Sequence, residues 1–580
     1  MKTSILKIIK YLSHPFAIFF YYLIIAGILV WTIDYYPKSA MEGFLMRALP
    51  WTLLFNLLLI IITLILCGKG IAGFLKNLFV ADLNKINRQG IWLALIVILA
   101  FVMVTFVAPR THRIFFDEDI YANIGQNIAL TGQAGMASYG EFFHGEYKAN
   151  WLSYNKEPGG WPFLISVAFQ LCGVNELAAF ILNNLFFTAA VFLIFLITLE
   201  ITGAYSPALL AAFIFSLIPH NIIWANTAAA EPAAAFFTLF SLLCLTIYLK
   251  TTEARQLFLL AAVLPFSCQM RPESILIIPL AFIALAMFRR ELFFKKQLWA
   301  TGLLTFLLLL PHLLHFYAVG NNSWGAAGAR FSWEFFRNNI IVNGPYYFNN
   351  EWFPLLFTLA AVIGFILTKY SLKWRYFIFL WFTAFWGIFL FFYAGSYRYG
   401  ADVRFALLSF APLAILAGFG LDWIRNKLVE LLPGGSAAAL IIVVILLVSW
   451  IRFLPLIRNI GQEAWEARAD HSLTREFIKK IPERSIVVTH VPTMILLWQQ
   501  SAISVDALKD RALMANLINK YDGNVYFHYN YWCHTASDTN SRVCGEVKKN
   551  FALEEIAADK SLGRLYGLYR IRMREDKTDK

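Results

Sequence analysis

The feature that most constrains this chain is a series of long apolar segments that carry almost no charge. Residues 91–108 and 177–202, for example, contain no lysine or arginine and at most one acidic residue. A helix that crosses about 30 Å of hydrocarbon needs about 20 residues of this kind. The chain is 59% hydrophobic and 15% charged, whereas soluble domains are about 25% charged. The sequence therefore excludes a water-soluble fold and predicts a polytopic membrane protein.

About thirteen membrane spans are predicted from these segments. The N-terminal segment lacks a small-residue cleavage site and is followed by further spans, so it is expected to remain as the first helix. The predicted spans are residues 16–33, 50–67, 90–108, 177–202, 206–224, 231–249, 256–270, 274–288, 299–317, 353–368, 376–393, 404–422 and 436–452.

The net charge of +13 comes from lysines and arginines in short loops on one side of these spans. This pattern indicates membrane topology and not nucleic-acid binding, and it predicts a multi-pass inner-membrane protein with a cytoplasmic N-terminus. The apolar run 161–174 is shorter than a typical membrane span. If it crossed the membrane, the basic loops 289–297 and 369–375 would face outward, so we interpret it as an interfacial helix.

The last part of the chain changes to a polar and charged composition. Segments 485–491, 524–531 and 565–571 have strand patterns, and 472–480 and 506–521 have helical patterns. The predicted fold is an all-α membrane protein with interfacial helices in its first large outward loop and a small C-terminal α/β domain. The predicted domains are 1–89 (N-terminal spans), 90–452 (a transmembrane catalytic core whose outward loop is 109–176) and 453–580 (a periplasmic domain).

Two of the six cysteines, Cys533 and Cys544, lie in this polar tail. No CxxC motif or nearby histidine spacing indicates a zinc site there. In an oxidising compartment the pair can form a disulfide.

Acidic residues stand near the start of the outward loop, at Asp117, Glu118 and Asp119. Apolar residues follow with helical spacing, which predicts an amphipathic surface helix whose first turn holds the acids. The acids either form a site or only stabilise the helix N-terminus. Further along, Lys156 precedes a Pro-Gly-Gly turn flanked by tryptophans. This arrangement suits a lipid-linked phosphate, or an interfacial turn whose lysine reaches water.

Other charged residues are predicted at the outward ends of later spans. Glu231, surrounded by alanines, is either a site residue or a first-turn helix acid before proline. Arg271 and Glu273 occupy a tight turn and can pair with each other. His312 and His315 share one helix face, which suits metal ligands, although packed histidines are more common.

A last cluster contains Tyr397, Arg398 and Arg404, where arginine forks and a tyrosine hydroxyl can bind a phosphate or pyrophosphate. Arg398 can also pair with Asp402. The sequence has no P-loop, GxSxG or HExxH motif, so ATP-driven transport and the common hydrolase mechanisms have no support.

Taken together, the chain resembles the GT-C type of membrane glycosyltransferase, and above all the branch of the lipid A aminoarabinose transferases and protein O-mannosyltransferases. The order and spacing agree over residues 109–250, although the family's Lys-Pro is interrupted here and its later acid is usually Asp. The resemblance rests on Asp117-Glu118 followed by Tyr121, Lys156-Glu157-Pro158 before a short apolar helix, Cys172-Gly173-Val174-Asn175, Glu231-Pro232, and an outward arginine at the start of a late span.

The resemblance implies a sugar donor carried on a polyprenyl phosphate, transfer at the outer membrane face, and a lipid, glycan or protein acceptor. It makes Asp117 the catalytic base, Glu118 its supporting acid and Lys156 a donor-phosphate ligand. Independently of the family, the leaving phosphate needs cationic help. Lys156, an arginine such as Arg271, or a divalent metal (Mg²⁺ or Mn²⁺) bound by carboxylate oxygens would supply it. The resemblance makes Glu231 a metal- or site-organising acid, so Asp117 and Glu231 are the candidate metal ligands.

A multi-spanning transporter or lipid flippase is the alternative function. A transporter is expected to carry ionisable residues deep within its spans or broken helices at matching positions of two halves. In this sequence the charges cluster at one face.

Overall fold

The computed structural model describes residues 15–82, 85–86, 88–322, 326–397, 400–431, 435–461, 465–534, 538–561 and 563–574. They form two compact units. Unit 1 comprises residues 1–111, 156–161 and 180–460, and unit 2 comprises residues 112–155, 162–179 and 461–580. The outward loop predicted at 109–176 therefore falls largely in the same unit as the C-terminal segment.

Unit 1 is helical, and each of the thirteen predicted spans falls on helical residues, which confirms the polytopic helical fold. Its helices are α1 (Pro15–Tyr35), α2 (Lys38–Phe79), α3 (Arg88–Val102, continued by a π-helical turn, Met103–Val107), α6 (Leu177–Thr202, whose first residues belong to unit 2), α7 (Tyr205–Leu217), α8 (Pro219–Ala225), α9 (Glu231–Thr251), α10 (Ala254–Cys268), α11 (Ile277–Phe288), α12 (Lys296–Ala318), α13 (Glu334–Tyr346), α14 (Leu355–Ile366), α15 (Leu372–Gly387), α16 (Leu407–Leu431), α17 (Gly435–Trp450) and α18 (Leu454–Arg458). A short hairpin of β1 (Val80–Asp82) and β2 (Lys85–Ile86) precedes α3.

The number of long spans is smaller than the sequence predicts. Among the described residues, eight helices are long and apolar enough to cross a membrane, or nine if the bent pair α7 and α8 is one span. Other apolar helices are shorter, such as α10 with 15 residues and α14 with 12. At 1.5 Å per residue a 12-residue helix extends only about 18 Å, so these helices are shorter than the hydrocarbon layer that a full span crosses.

The predicted span 206–224 is broken at a proline. Helices α7 and α8 meet at an angle of 62°, and Ile218 before Pro219 has an extended backbone conformation. Proline disfavours a helical conformation in the preceding residue and cannot donate a backbone hydrogen bond. The break directs the chain into a short turn, residues 226–230, that leads to α9.

Unit 2 contains a seven-stranded mixed sheet in the order β4-β3-β6-β5-β7-β9-β8. β5 pairs in parallel with β6 and β7, and the other pairs are antiparallel. Its strands are β3 (Met136–Phe143), β4 (Glu146–Ser153), β5 (Ile486–Thr489), β6 (Ser501–Ser504), β7 (Val525–Tyr529), β8 (Phe551–Ser561) and β9 (Arg564–Met573). Its helices are α4 (Phe115–Thr131), α5 (Gly160–Cys172, whose first two residues belong to unit 1), α19 (Trp465–Ile478), α20 (Pro492–Leu497), α21 (Arg511–Lys520) and α22 (Asp538–Asn550).

The hairpin of β3 and β4 comes from the outward loop and completes a sheet built by the C-terminal segment. Tyr139 and Gly140 of β3 pair with Ile503 and Ala502 of β6. The sequence predicted β5, β7, β9 and the helices α19 and α21, but it missed β6, β8 and this hairpin. The α/β character of the C-terminal segment is confirmed, and the hairpin extends its sheet.

Glu141 fixes the hairpin to α21. Its carboxylate accepts hydrogen bonds from the Lys520 ammonium at 2.6 and 2.8 Å and from the Tyr521 hydroxyl at 3.0 Å. Burial raises the pKa of Glu141, but the bonds from Lys520, Tyr139 and other partners lower it to about 2. The hairpin is thus held by a charge-assisted contact as well as by backbone pairing.

Cys533 and Cys544, which are 11 residues apart, form a disulfide. In the chain-entropy model, a cross-link over such a loop lowers the entropy of the unfolded chain and so raises the free energy of unfolding by about 3 kcal/mol. We expect that replacing both cysteines by serine lowers the unfolding temperature of unit 2. The exposed free thiol Cys172 provides the matched control, Cys172→Ser, which should leave it unchanged. Non-reducing peptide mapping that finds free thiols at 533 and 544 in the wild type would contradict the cross-link.

Candidate functional site

The turn between α8 and α9 is fixed by amide side chains inside unit 1. Asn183 of α6 donates to the carbonyl oxygens of Thr227 and Ala229, both at 2.8 Å. Asn184 donates to the Ala225 carbonyl at 2.9 Å. Buried backbone groups need such partners, because leaving them unpaired costs about 1–3 kcal/mol each. The two amides therefore hold the turn that precedes Glu231, the first residue of α9.

The segment from Lys156 to Trp161 is packed against the same turn. The fully buried Trp161 indole donates to the Ala228 carbonyl at 2.9 Å. The Gly160 backbone donates to the Gln269 carbonyl at 2.9 Å, and a Cβ on Gly160 would lie 2.5 Å from that oxygen. Only glycine fits this approach. These contacts fix the backbone next to Lys156, which is half-buried. The Lys156 backbone also hydrogen-bonds to the His315 side chain.

A nearly buried cluster of charges lies at Glu231. The Arg271 Nη1 atom is 3.1 Å from Glu231 Oε1, and the Arg404 Nε atom is 3.4 Å from the same oxygen. Arg271 also donates from Nε to Glu273 at 3.1 Å. Both guanidinium groups lie over the Phe405 ring, with centroid distances of 5.9 and 5.0 Å. One carboxylate therefore holds two arginine forks beside each other.

Tyr397 lies in a separate loop that α13 holds in place. The Asn343 side chain accepts from the Tyr397 backbone at 2.9 Å and donates to the Gly395 carbonyl at 2.8 Å. The Tyr397 ring is buried and meets the Tyr346 ring edge to face at 5.2 Å. Arg398 lies outside the described residues, so its predicted pairing with Asp402 stays a prediction.

In unit 2, the predicted acids occupy the first turn of α4, and the two carboxylates have different surroundings. Asp117 is partly exposed, whereas Glu118 is fully buried. Glu118 accepts from the backbone of Arg113 at 2.8 Å and of Ile114 at 3.0 Å, and lies 2.8 Å from His112 Nδ1. These bonds satisfy amides at the helix start and fix the imidazole of His112.

Charge pairing sets the ionisation of the two partners. Burial lowers the pKa of His112, but the charge of Glu118 and its hydrogen bond raise it more, to about 9. Burial raises the pKa of Glu118, but His112 and the two backbone bonds lower it below its ordinary value.

Asp119, the next residue of α4, belongs to a second group of side chains. Ligand atoms of His112, Asp119, Glu176 and His471 all lie within 4.8 Å of one another. Glu176 Oε1 is 3.3 Å from His471 Nε2 and accepts from the Trp498 indole at 2.7 Å. Burial raises the pKa of Glu176, but these partners and the charge of His112 lower it to about 2. Burial, together with the neighbouring carboxylates, raises the pKa of Asp119 well above its usual range.

Comparison with known proteins agrees with this architecture. Residues 156–315, which contain Lys156, Glu231 and Arg271, match the family model described as dolichyl-phosphate-mannose-protein mannosyltransferase. The chain is similar in structure to ArnT from Cupriavidus metallidurans bound to undecaprenyl phosphate, with a TM-score of 0.54 and 12% identity over 83% of this chain and 97% of that one. The chain has the fold of the GT-C membrane glycosyltransferases. The family resemblance indicated by the sequence is therefore confirmed.

Further solved structures share the GT-C fold. ArnT from the same organism in the apo state gives a TM-score of 0.53 at 13% identity, with the same coverage. The apo oligosaccharyltransferase of Archaeoglobus fulgidus gives 0.50 at 12% identity over 83% of this chain and 74% of that chain. No curated protein sequence matches the chain.

On this GT-C fold, the predicted residues divide into two groups. Unit 1 brings Glu231, Arg271 and Arg404 into contact. Arg271 pairs with Glu231 and also with Glu273, and the second pair is one that the sequence predicted. Lys156 belongs to unit 1, whereas Asp117 and Glu118 belong to unit 2.

Sequence reasoning missed the amides and histidines that support these groups. Adjacent Asn183 and Asn184 in an otherwise apolar span were a readable signal, because buried amides in a span need partners. Glu176 and His471 gave no such signal. They are 295 residues apart in the chain and meet through the tertiary packing of unit 2.

Proposed function

We propose that this protein is a glycosyltransferase that moves a sugar from a polyprenyl-phosphate donor to a lipid, glycan or protein acceptor at the outer face of the membrane. The observation that carries this proposal is the pair of nearly buried arginines, Arg271 and Arg404, held together by Glu231 within a GT-C fold. Transfer from such a donor expels a phosphate, and arginine forks bind phosphate oxygens in bidentate geometry.

On the donor side, Arg271 and Arg404 bind the phosphate in this proposal, with Lys156 as a further cation. ArnT, which shares the fold, has been solved with undecaprenyl phosphate. Tyr397 and Arg398 are proposed to contact the same donor. Glu231 lies beside two guanidinium groups, which repel a divalent cation, so we assign it to positioning the arginines. The prediction that Asp117 and Glu231 bind Mg²⁺ or Mn²⁺ is tested by the response of transfer to these ions after chelation.

On the acceptor side, Asp117 is proposed as the base. A carboxylate that takes the acceptor proton as the sugar–oxygen bond forms contributes about 10²–10⁴-fold to a rate. Asp117 is partly exposed at the start of α4, and the buried Glu118 secures that helix end. The base is therefore accessible while its backbone is fixed.

The outer location rests on charge and on redox chemistry. Lysines and arginines concentrate in the loops on the side assigned to the cytoplasm. The Cys533–Cys544 disulfide lies in the C-terminal domain, which we assign to the side opposite the cytoplasm. Disulfides persist in oxidising compartments such as the periplasm. We propose a multi-pass protein of the inner membrane with its C-terminal domain in the periplasm.

The test is transfer of radiolabelled sugar by the purified full-length protein in lipid, from a pool of polyprenyl-phosphate sugars to extracted membrane lipids, glycans and peptides. We expect a labelled product with at least one donor, and the same assay with EDTA measures any metal requirement. Movement of labelled donor across the bilayer without any product would overturn the proposal in favour of a flippase.

A further inference from the structure

A four-residue cluster in unit 2 has the composition of a metal site, and nothing in the transfer chemistry uses it. His112 precedes α4, Asp119 lies on α4, Glu176 follows α5, and His471 lies on α19. Each offers one ligand atom, and these atoms lie within 4.8 Å of one another. We propose that His112, Asp119, Glu176 and His471 bind one zinc ion that has a structural role.

The first support beyond proximity is the Asp119 side chain. It is fully buried, and neither carboxylate oxygen has a hydrogen-bond partner among the described residues. Buried polar atoms are normally paired, and an uncompensated buried carboxylate is among the most costly groups in a protein. One Asp119 oxygen is the ligand atom that belongs to the cluster. A cation there compensates it.

The types of ligand favour zinc over magnesium or calcium. Two imidazoles and two carboxylates are N and O donors that zinc accepts in tetrahedral geometry. Mg²⁺ and Ca²⁺ prefer oxygen ligands alone. Four protein ligands fill a tetrahedral shell and leave no position for substrate, which is typical of a structural site.

The groups around the ligands match a zinc site as well. The Glu118 carboxylate is 2.8 Å from His112 Nδ1, which favours the Nδ1–H tautomer and places the lone pair on Nε2. The Trp498 indole donates to the ligand Glu176 at 2.7 Å. Metal-bound histidines commonly donate their other nitrogen to a carboxylate in this way.

An ion at this position joins three separate stretches of the chain. Residues 112–119 carry the proposed base Asp117, residue 176 follows α5, and residue 471 belongs to the C-terminal segment. Zinc would thus hold the start of α4 against α19 and keep Asp117 in place without contacting substrate. This inference is independent of the transfer reaction, because it concerns metal content and stability.

The experiment measures zinc in the full-length protein, purified without a histidine tag, incubated with zinc and then dialysed. We expect one zinc per chain in the wild type, and a loss of at least tenfold in occupancy for Asp119→Asn and His471→Ala. Matched controls are His144→Ala and Asp559→Asn, two exposed residues of the same unit, which should retain zinc. Cobalt replacing the zinc should give the visible absorption of a tetrahedral site.

Stability provides a second measurement that does not depend on retained metal. Chelation should lower the unfolding temperature of the wild type, and zinc but not millimolar Mg²⁺ should restore it. The near-isosteric Asp119→Asn variant should be insensitive to both. Zinc in the wild type no higher than in a protein-free buffer blank, an EDTA-insensitive wild type, or full occupancy in Asp119→Asn would overturn the site.

Discussion

Replacing Asp117 by asparagine should reduce the turnover of sugar transfer by about 10²–10⁴-fold, the contribution of a positioned general base. Asparagine keeps the size and polarity of the side chain but cannot take a proton from the acceptor. The donor phosphate is assigned to residues of unit 1, so the apparent affinity for the donor should stay within about twofold. The expected signature is a fall in kcat with an unchanged KM for the donor.

The measurement compares initial rates of wild type, Asp117→Asn and Glu146→Gln. Glu146 is an exposed acid of the same unit, at the start of β4, and its change removes the same charge without touching α4. Equal unfolding temperatures of the three proteins exclude a folding defect. Wild-type turnover in Asp117→Asn would remove this residue from the mechanism.

Much of the fold follows from local patterns. Apolar segments such as Leu177–Thr202 are recognised because the bilayer requires uncharged stretches of defined length. Strands β5 and β7 are recognised because short apolar runs are bounded by turn residues. Signals of this type lie within one continuous segment of the chain and need no tertiary information.

What the sequence did not predict depends on distant contacts. The hairpin of β3 and β4 joins the sheet through pairing of β3 with β6, which is more than 350 residues away in the chain. The Glu176–His471 pair likewise forms through tertiary packing, between residues 295 positions apart. The sequence could not separate Asp117 from Glu118, because acids in a first helical turn have the same pattern, and the burial of Glu118 depends on tertiary packing.

Arg404 gives the second large effect. Replacing it by methionine should weaken donor binding by about 100-fold, because charge-assisted hydrogen bonds are worth about 1.5–3 kcal/mol each. Methionine retains most of the packing volume against Phe405. Arg404→Lys keeps the charge but lacks the planar fork, so we expect it to recover only part of the affinity. The effect should appear in KM for the donor.

The control is Arg458→Met, which removes an exposed arginine of unit 1. Binding of a radiolabelled polyprenyl phosphate without sugar isolates the phosphate contact from catalysis. Glu231→Gln separates the two roles considered for that acid. If Glu231 positions the arginines, the variant leaves two nearly buried guanidinium groups without their shared carboxylate, so stability falls and added polyprenyl phosphate restores part of it. If Glu231 binds a metal, Glu231→Gln instead loses the response of transfer to Mg²⁺ or Mn²⁺. Wild-type donor affinity in Arg404→Met would show that the phosphate binds elsewhere.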